Sequence, residues 1–391
     1  MTVLFLSLCV AVADAQTYSL SESAEISLIT CGPGESIYSV YGHTAIRIKD
    51  AEKGLNYVFN YGMFDFSSPG FTYRFAKGDT YYWVHADKDF DGFVEEYKWR
   101  RSSVTEQVLN LSKEEKDKIF TALAINCLPE NKTYLYNFFY DNCSTRPRIL
   151  IENNISGTIL YEEILPPTTF RKIIRHCNRN HRWYIFGIEL ALGAPLDAPT
   201  GQKEQLFLPQ YLMQAFNHAK IVQPDGTYKN LVVRTSELAP NYPKNEHPED
   251  YNPVTVFWLA FALIAIVSFV EIRFHKRFRF LDSALFLVYG LTGCVIVFLS
   301  FISIHPAVFP NYSIIWAHPL HLLPAVAIFI KPFAGFVGYY RLINGAILIA
   351  LMLGWNILPQ EFNSAFFPIV MILCLRSFIP FLQKSKILKG V

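Results

Sequence analysis

A thiol and an imidazole that meet can do nucleophilic chemistry, because the imidazole takes the thiol proton and leaves a thiolate. The cysteine in the most suggestive context is Cys143, within Tyr140-Asp141-Asn142-Cys143-Ser144-Thr145-Arg146-Pro147-Arg148. It stands among polar, turn-favouring residues, after the aromatic run Phe138-Phe139-Tyr140 and before the apolar run Ile149-Leu150-Ile151. That context predicts a turn leading into a helix, where free N–H groups and the positive dipole end favour thiolate. Arg146 and Arg148 add positive charge in the same direction. Pro147 fits a first helical turn and keeps Cys143 ahead of the helix. A cysteine is by default a small buried hydrophobe, so reactivity requires a base nearby.

The histidines on offer in the same region are His43, His85, His176, His181, His218 and His247. His43 follows Gly42 and opens the alternating run Thr44-Ala45-Ile46-Arg47-Ile48, a strand pattern. A charged loop ending at Gly54 separates this run from Asn56-Tyr57-Val58-Phe59-Asn60-Tyr61-Gly62, and the two read as a hairpin. With its turn near residues 51–53, His43 falls opposite Asn60 or Tyr61. Asn60 is then the candidate for fixing the tautomer of the ring, with Asp65 the second choice. A cysteine at a helix entrance facing a histidine on a strand is the papain-like arrangement. Histidine-first order is that of its permuted forms.

The elements that must position this pair are an exported domain and a membrane domain. The chain has 391 residues, 51% of them hydrophobic, and the apolar surplus is concentrated after Pro253. Met1 to Ala15 reads as a secretory signal, with an apolar core from Leu4 to Val12 and Ala13-Asp14-Ala15 before a cut. The expected order is therefore a signal over 1–15, an extracytoplasmic domain over 16–237, a proline-rich linker over 238–252 and a membrane domain over 253–391. Within the exported domain, Phe71 to Trp83 and Val104 to Leu111 continue the β pattern. Ser112 and Glu115 predict a capping box opening a helix with Ile119, Phe120, Leu123 and Ala124 inward. Further helices are expected over 168–176 and 210–220.

Five spans are expected, over about 254–272, 281–304, 313–330, 342–358 and 365–382, each near the length that crosses a hydrocarbon core roughly 30 Å thick. The loop Arg273-Phe274-His275-Lys276-Arg277-Phe278-Arg279 is strongly basic, Lys331 and Arg341 bound the next loop on that side, and Lys384, Lys386 and Lys389 mark the C-terminus. The opposite loops, His305 to Tyr312 and Pro359 to Asn363, contain no lysine or arginine. This asymmetry places the N-terminal domain outside and the C-terminus in the cytoplasm. A net charge of +2 without a basic, aromatic-interleaved stripe argues against nucleic acid as a partner. The chain has neither a CxxC pair nor HExxH, so no metal or other cofactor is expected. Of the seven cysteines, Cys31, Cys127, Cys143 and Cys177 lie in the exported region. If one bridge forms there, Cys127 with Cys177 leaves Cys143 free.

Three stretches, Ser39 to Arg47, Asn60 to Phe66 and Phe139 to Arg148, together with His305 to Tyr312, resemble the Lnb family of bacterial lipoprotein N-acyltransferases. Ser144 and Tyr41 stand where that family more often has Ala and Phe. The resemblance implies an α+β chain: a permuted papain-like (NlpC/P60-like) extracytoplasmic domain, then an all-α bundle of five transmembrane helices in the bacterial inner membrane. It implies a phospholipid acyl donor, a diacylated lipoprotein acceptor, Cys143 as nucleophile, His43 as base and Asn60 as orienting group. Backbone N–H groups of Cys143 and Ser144 would receive the oxyanion. Tyr41, Asn142, Ser144 and Arg146 are candidates for contacting substrate, as are His305 and Asn311 near the outer ends of the spans. The aromatics Phe71, Tyr73, Phe75, Tyr81, Tyr82 and Trp83 are candidates for a membrane-facing surface. Two other readings use the same residues: a membrane-anchored cell-wall peptidase or amidase, which would need only one anchor, and a non-catalytic membrane scaffold.

Overall fold

The computed structural model describes residues 19–34, 39–163, 166–242 and 251–383. The expected signal segment, His247, most of the linker and the C-terminal lysines lie outside the described residues. The chain divides into two compact units, one drawn from Met1–Thr168 and Pro199–Asn245, the other from Thr169–Ala198 and Glu246–Val391.

The first unit is built on a seven-stranded sheet of order β10-β5-β1-β2-β3-β4-β6. Its strands are β1 Glu25–Cys31, β2 His43–Asp50, β3 Leu55–Met63, β4 Tyr81–Asp87, β5 Val104–Leu109, β6 Thr133–Leu135 and β10 Val232–Ala239. Every neighbouring pair is antiparallel. A small second sheet joins β7 Thr158–Leu160, β8 Lys220–Val222 and β9 Tyr228–Asn230. Strand β1 is buried at nearly every position because the sheet is covered on both sides. Leu28, Ile46, Ile48, Phe59, Tyr61 and Val84 fill one face, while Ile29, Ala45, Val58, Phe90 and Val94 fill the other.

The predicted hairpin forms as β2–β3, with Ala45 opposite Asn60. Side chains two apart on a strand share a face, so His43 and Asn60 become diagonal neighbours. The helices of this unit are α1 Phe71–Lys77, α2 Phe90–Trp99, α3 Lys113–Asn126 and α4 Thr145–Asn154, with another over Pro209–His218. Ser112 caps α3 as expected: its Oγ accepts the Glu115 N–H at 3.2 Å and Glu115 Oε2 accepts the Ser112 N–H at 2.7 Å. The β reading of 71–83 holds only from Tyr81 onward. Phe71–Lys77 is helical, bounded by Gly70 and Gly78, and stacks Phe71 on Phe75 at 5.8 Å across one turn. Helix α2 carries no alternation either; Asp89 caps it by accepting the Gly92 N–H at 2.9 Å.

The second unit begins with α5 Phe170–Cys177 and α6 Arg182–Ala191, a stretch the sequence reading kept in the exported domain. Its polar contacts explain the grouping. The buried Arg171 pairs with Asp197 at 2.7 Å, Arg175 pairs with Glu189 and Glu361, and Asn311 Nδ2 donates to Leu190 O at 2.9 Å. The Gly193 and Ala194 N–H groups donate to Ala307 O and Pro310 O.

Helices α7 Pro253–Arg273 and α8 Arg279–Phe301 are long and apolar enough to cross a membrane, as is the stretch Lys331–Leu353, which contains α9 Ala334–Leu353. A shorter apolar helix, α10, spans Phe366–Leu382. The stretch expected to form one continuous span over 313–330 is broken into short helical segments, Tyr312–Ile315, Pro319–His321 and Leu322–Ala327. Pro319 lacks an N–H and forces His318 into extended geometry, breaking the helix. Arg341 does not bound a loop but lies buried inside α9, 2.6 Å from Asp282. Asp282 also binds Arg376, which pairs with Glu271. Two arginines and two carboxylates thus neutralise one another among α7, α8, α9 and α10.

Candidate active site

Cys143 occupies the turn just before α4, with Ser144 at the N-cap. The turn is shaped by Asn142, only 2% exposed. Its Oδ1 accepts the N–H groups of Ser144 at 2.8 Å and Thr145 at 2.9 Å. Its Nδ2 donates to Phe138 O at 2.7 Å and to Phe207 O at 2.8 Å. Asn142, taken from sequence as a substrate contact, is therefore fully engaged in holding the turn. The Ser144 N–H, expected to serve the oxyanion, is already donated to Asn142. The amide of Cys143 has no acceptor among the described residues.

His43 opens β2, opposite Cys31 of β1. Gly42 brings it there: its φ of 78° is left-handed, and a Cβ would lie 2.4 Å from the Cys31 carbonyl oxygen. His43 Nε2 meets Asn60 Oδ1 at 3.1 Å, which leaves Nδ1 for the sulfur. Gly62 faces the same spot from β3, with φ 87°; the place its Cβ would take is 3.6 Å from Cys143 Cβ and 3.9 Å from the Tyr134 hydroxyl.

Cys143 and His43 are half-buried. Burial alone would push the Cys143 thiol up, but the hydrogen bond and charge of His43, the Thr44 N–H and the Ser144 hydroxyl outweigh it and bring it below the ordinary 9.0. For His43, burial acts downward, while the hydrogen bond and charge of Cys143 and the hydrogen bond to Asn60 leave it above the ordinary 6.5. The two shifts run toward each other, each group favouring the charged form of its neighbour. The lowering draws on His43, Thr44 and Ser144, not on the N–H groups of Ser144 and Thr145, which Asn142 occupies. The other thiols of the expected exported region go the opposite way. Burial drives Cys31 far up, Cys127 to about 12 and Cys177 to about 11. Cys127 and Cys177 are free, so the bridge suggested from sequence is not formed.

Among the other expected residues, Ser144 is buried with its hydroxyl 3.0 Å from Thr44 Oγ1. Arg146 binds Asp141 through two hydrogen bonds of 2.5 and 2.7 Å and lies 3.5 Å above the Tyr134 ring. Tyr41 sets its ring edge-on to Phe138 at 4.8 Å. Asp65 is exposed and holds the Ser67 N–H at 2.8 Å, away from the His43–Asn60 pair. His85 lies across from Asn60 on β4 and is exposed. In the second unit, Asn311 is buried, and its amide also receives the Ser313 N–H at 3.0 Å and Gln360 at 3.3 Å; it borders an apolar cleft lined by Phe301 and Phe309. His305 lies half-buried in the loop after α8.

One residue escaped the sequence reading. Tyr134 is 7% exposed, and its hydroxyl is buried without a hydrogen-bond partner among the described residues. It sits on β6 opposite Tyr82, and the nearby Cys143 helps to hold its phenol protonated. An unpaired buried donor is costly unless something else uses it.

Residues 13–176 match the Lnb N-terminal periplasmic domain, and residues 245–387 match the Lnb transmembrane domain. No curated protein and no solved structure gave a match. A periplasmic domain followed by a transmembrane domain makes this an inner-membrane protein. With both halves matched in order, the chain belongs to the Lnb family.

Proposed function

We propose that this protein moves an acyl chain from a membrane phospholipid, through a thioester on Cys143, to the N-terminal α-amine of a diacylglyceryl lipoprotein. The observation that carries the reading is a Cys143 thiol lowered by His43, whose ring meets Asn60 at 3.1 Å, in a chain of the Lnb family. In the first half-reaction the Cys143 sulfur attacks the ester carbonyl. The C–O bond breaks, and the departing lysophospholipid oxygen takes the proton held by His43. In the second, the lipoprotein amine attacks the thioester, His43 accepts its proton, and the C–S bond breaks to restore the thiolate. The oxyanion of each step is held by the free Cys143 amide and the unpartnered Tyr134 hydroxyl. Exposed aromatics support a lipid substrate: Phe66 lies in the loop after β3, Tyr73 and Phe75 on α1, and Tyr81 (62% exposed) on β4, the strand that pairs with β3. We place the periplasmic unit outside and the C-terminus inside, with the broken 313–330 stretch counted as the third of five membrane passes.

Mass spectrometry of a lipoprotein N-terminus tests this. Cells with the intact protein should carry one more acyl chain on the N-terminal cysteine than cells with Cys143→Ala, and an identical lipid count in both would refute it.

A further inference from the structure

The loop joining α7 to α8, with the helix ends that flank it, carries Arg273, Lys276, Arg277 and Arg279, all exposed and without a carboxylate partner among the described residues. The nearest acids are already engaged. Glu271 pairs with Arg376 and accepts the Phe278 N–H at 2.6 Å, and Asp282 binds Arg341 and Arg376. The backbone is fixed from behind: Gln383 Nε2 donates to Lys276 O at 2.7 Å and to Glu271 O at 3.0 Å, and the Lys276 N–H donates to Glu271 O at 3.1 Å. The loop thus turns its acceptors inward and its cations outward. Between them stand Phe274 and Phe280, 63% and 82% exposed, with Phe278 beside them. Because the loop connects two membrane-length helices, it lies at the bilayer surface, where phosphates and interfacial aromatics meet.

We propose that this loop binds anionic phospholipid headgroups of the leaflet it faces, its four cations contacting phosphate oxygens and its phenylalanines entering the interface. Uncompensated charge at a fixed backbone selects anionic over zwitterionic lipid, as clustered basic residues beside a span do. The inference rests on the membrane-spanning helices and is independent of acyl transfer.

Native mass spectrometry of the full chain, released from nanodiscs of equal phosphatidylglycerol and phosphatidylcholine, tests it. Intact protein should retain phosphatidylglycerol preferentially, and the preference should fall as salt is raised. The variant with Arg273, Lys276, Arg277 and Arg279 all changed to Gln should lose it. Single changes K276Q and R277Q should each reduce it by about fivefold, so the proposal stands or falls even if the quadruple variant does not fold. No preference in the intact protein, or one that survives these changes, overturns it. Acyl transfer need not be measured, so failure of that reading leaves this result intact.

Discussion

If Cys143 is held as a thiolate by His43, it should be the one thiol of its region that reacts at neutral pH, and His43→Ala should abolish the distinction. The magnitude follows from the neighbouring thiols. Burial without a cation pushes Cys177 to about 11 and Cys127 to about 12, against an ordinary 9.0. Cys143 is lowered despite its burial, and the largest opposing influence is His43. Without that ring, burial governs, and the Cys143 thiol should rise to the range of Cys177. At pH 7 a thiol near 11 is ionised about a hundredfold less than one near 9. A more basic thiolate is also more nucleophilic, which returns about half of that on a logarithmic scale. The net loss is then about tenfold relative to an ordinary thiol, and larger relative to the native pair. Full-length protein treated with iodoacetamide between pH 5 and 10 and digested gives a labelling rate for each cysteine-containing peptide. Native Cys143 should label with a midpoint below 9, and Cys177 and Cys127 with midpoints well above it. Cys177 also reports unfolding, since its labelling would rise with Cys143's. Equal rates for Cys143 and Cys177 in the native chain, or an unchanged Cys143 rate in the variant, would refute the ion pair.

Three other outcomes are expected. Tyr134→Phe removes a hydroxyl that bonds to none of the described residues, so the melting temperature should stay put while acylation of Cys143 by phospholipid slows about a hundredfold; an unaffected rate removes Tyr134 from the oxyanion site. Gly42→Ala places a Cβ 2.4 Å from a backbone oxygen at a left-handed φ, so the chain should lose at least about 1–2 kcal/mol in denaturant melts and Cys143 labelling should fall as His43 is displaced. Arg376→Met leaves Glu271 buried with no cation and should cost about 3–5 kcal/mol, read as a lower melting temperature in detergent; an unchanged melt would mean Glu271 is neutral.

The parts of the site legible in the sequence are those fixed by neighbours along the chain. Alternation gave β2 and β3, and a loop between Asp50 and Leu55 brought Asn60 within reach of His43. The Ser112–Glu115 box reads directly because both halves lie in one turn. What was hidden depends on distant partners. Asn142 looks like a substrate contact until Phe207, 65 residues on, supplies an acceptor for its amide. Tyr134 has no pattern to announce it: β6 is three residues long, and only its pairing with β4 brings it to Cys143. Residues 169–198 join the second unit through the Arg175–Glu361 ion pair and bonds to the 307–311 loop, which hydropathy does not register. Arg341 shortened the expected span because a charge in an apolar run reads as a boundary, although Asp282 neutralises it within the fold.

In the proposed acyl transfer the His43 ring serves opposite roles in the two half-reactions, and its surroundings favour the change. In the resting pair the hydrogen bond and charge of Cys143 hold the His43 imidazole above its ordinary 6.5, against the downward push of burial. Once the sulfur carries an acyl group, its charge and its acceptor role to the imidazole are gone. Burial is then opposed by the Asn60 contact without the sulfur, so the proposed reaction has His43 give up its proton at this stage. On that reading the neutral ring is the base the incoming amine requires, formed after the proposed thioester. The pH midpoint for aminolysis of an isolated acyl-enzyme should therefore lie below the pH at which the resting imidazolium is lost. A single shared midpoint would mean that the acyl group does not control the proton on His43.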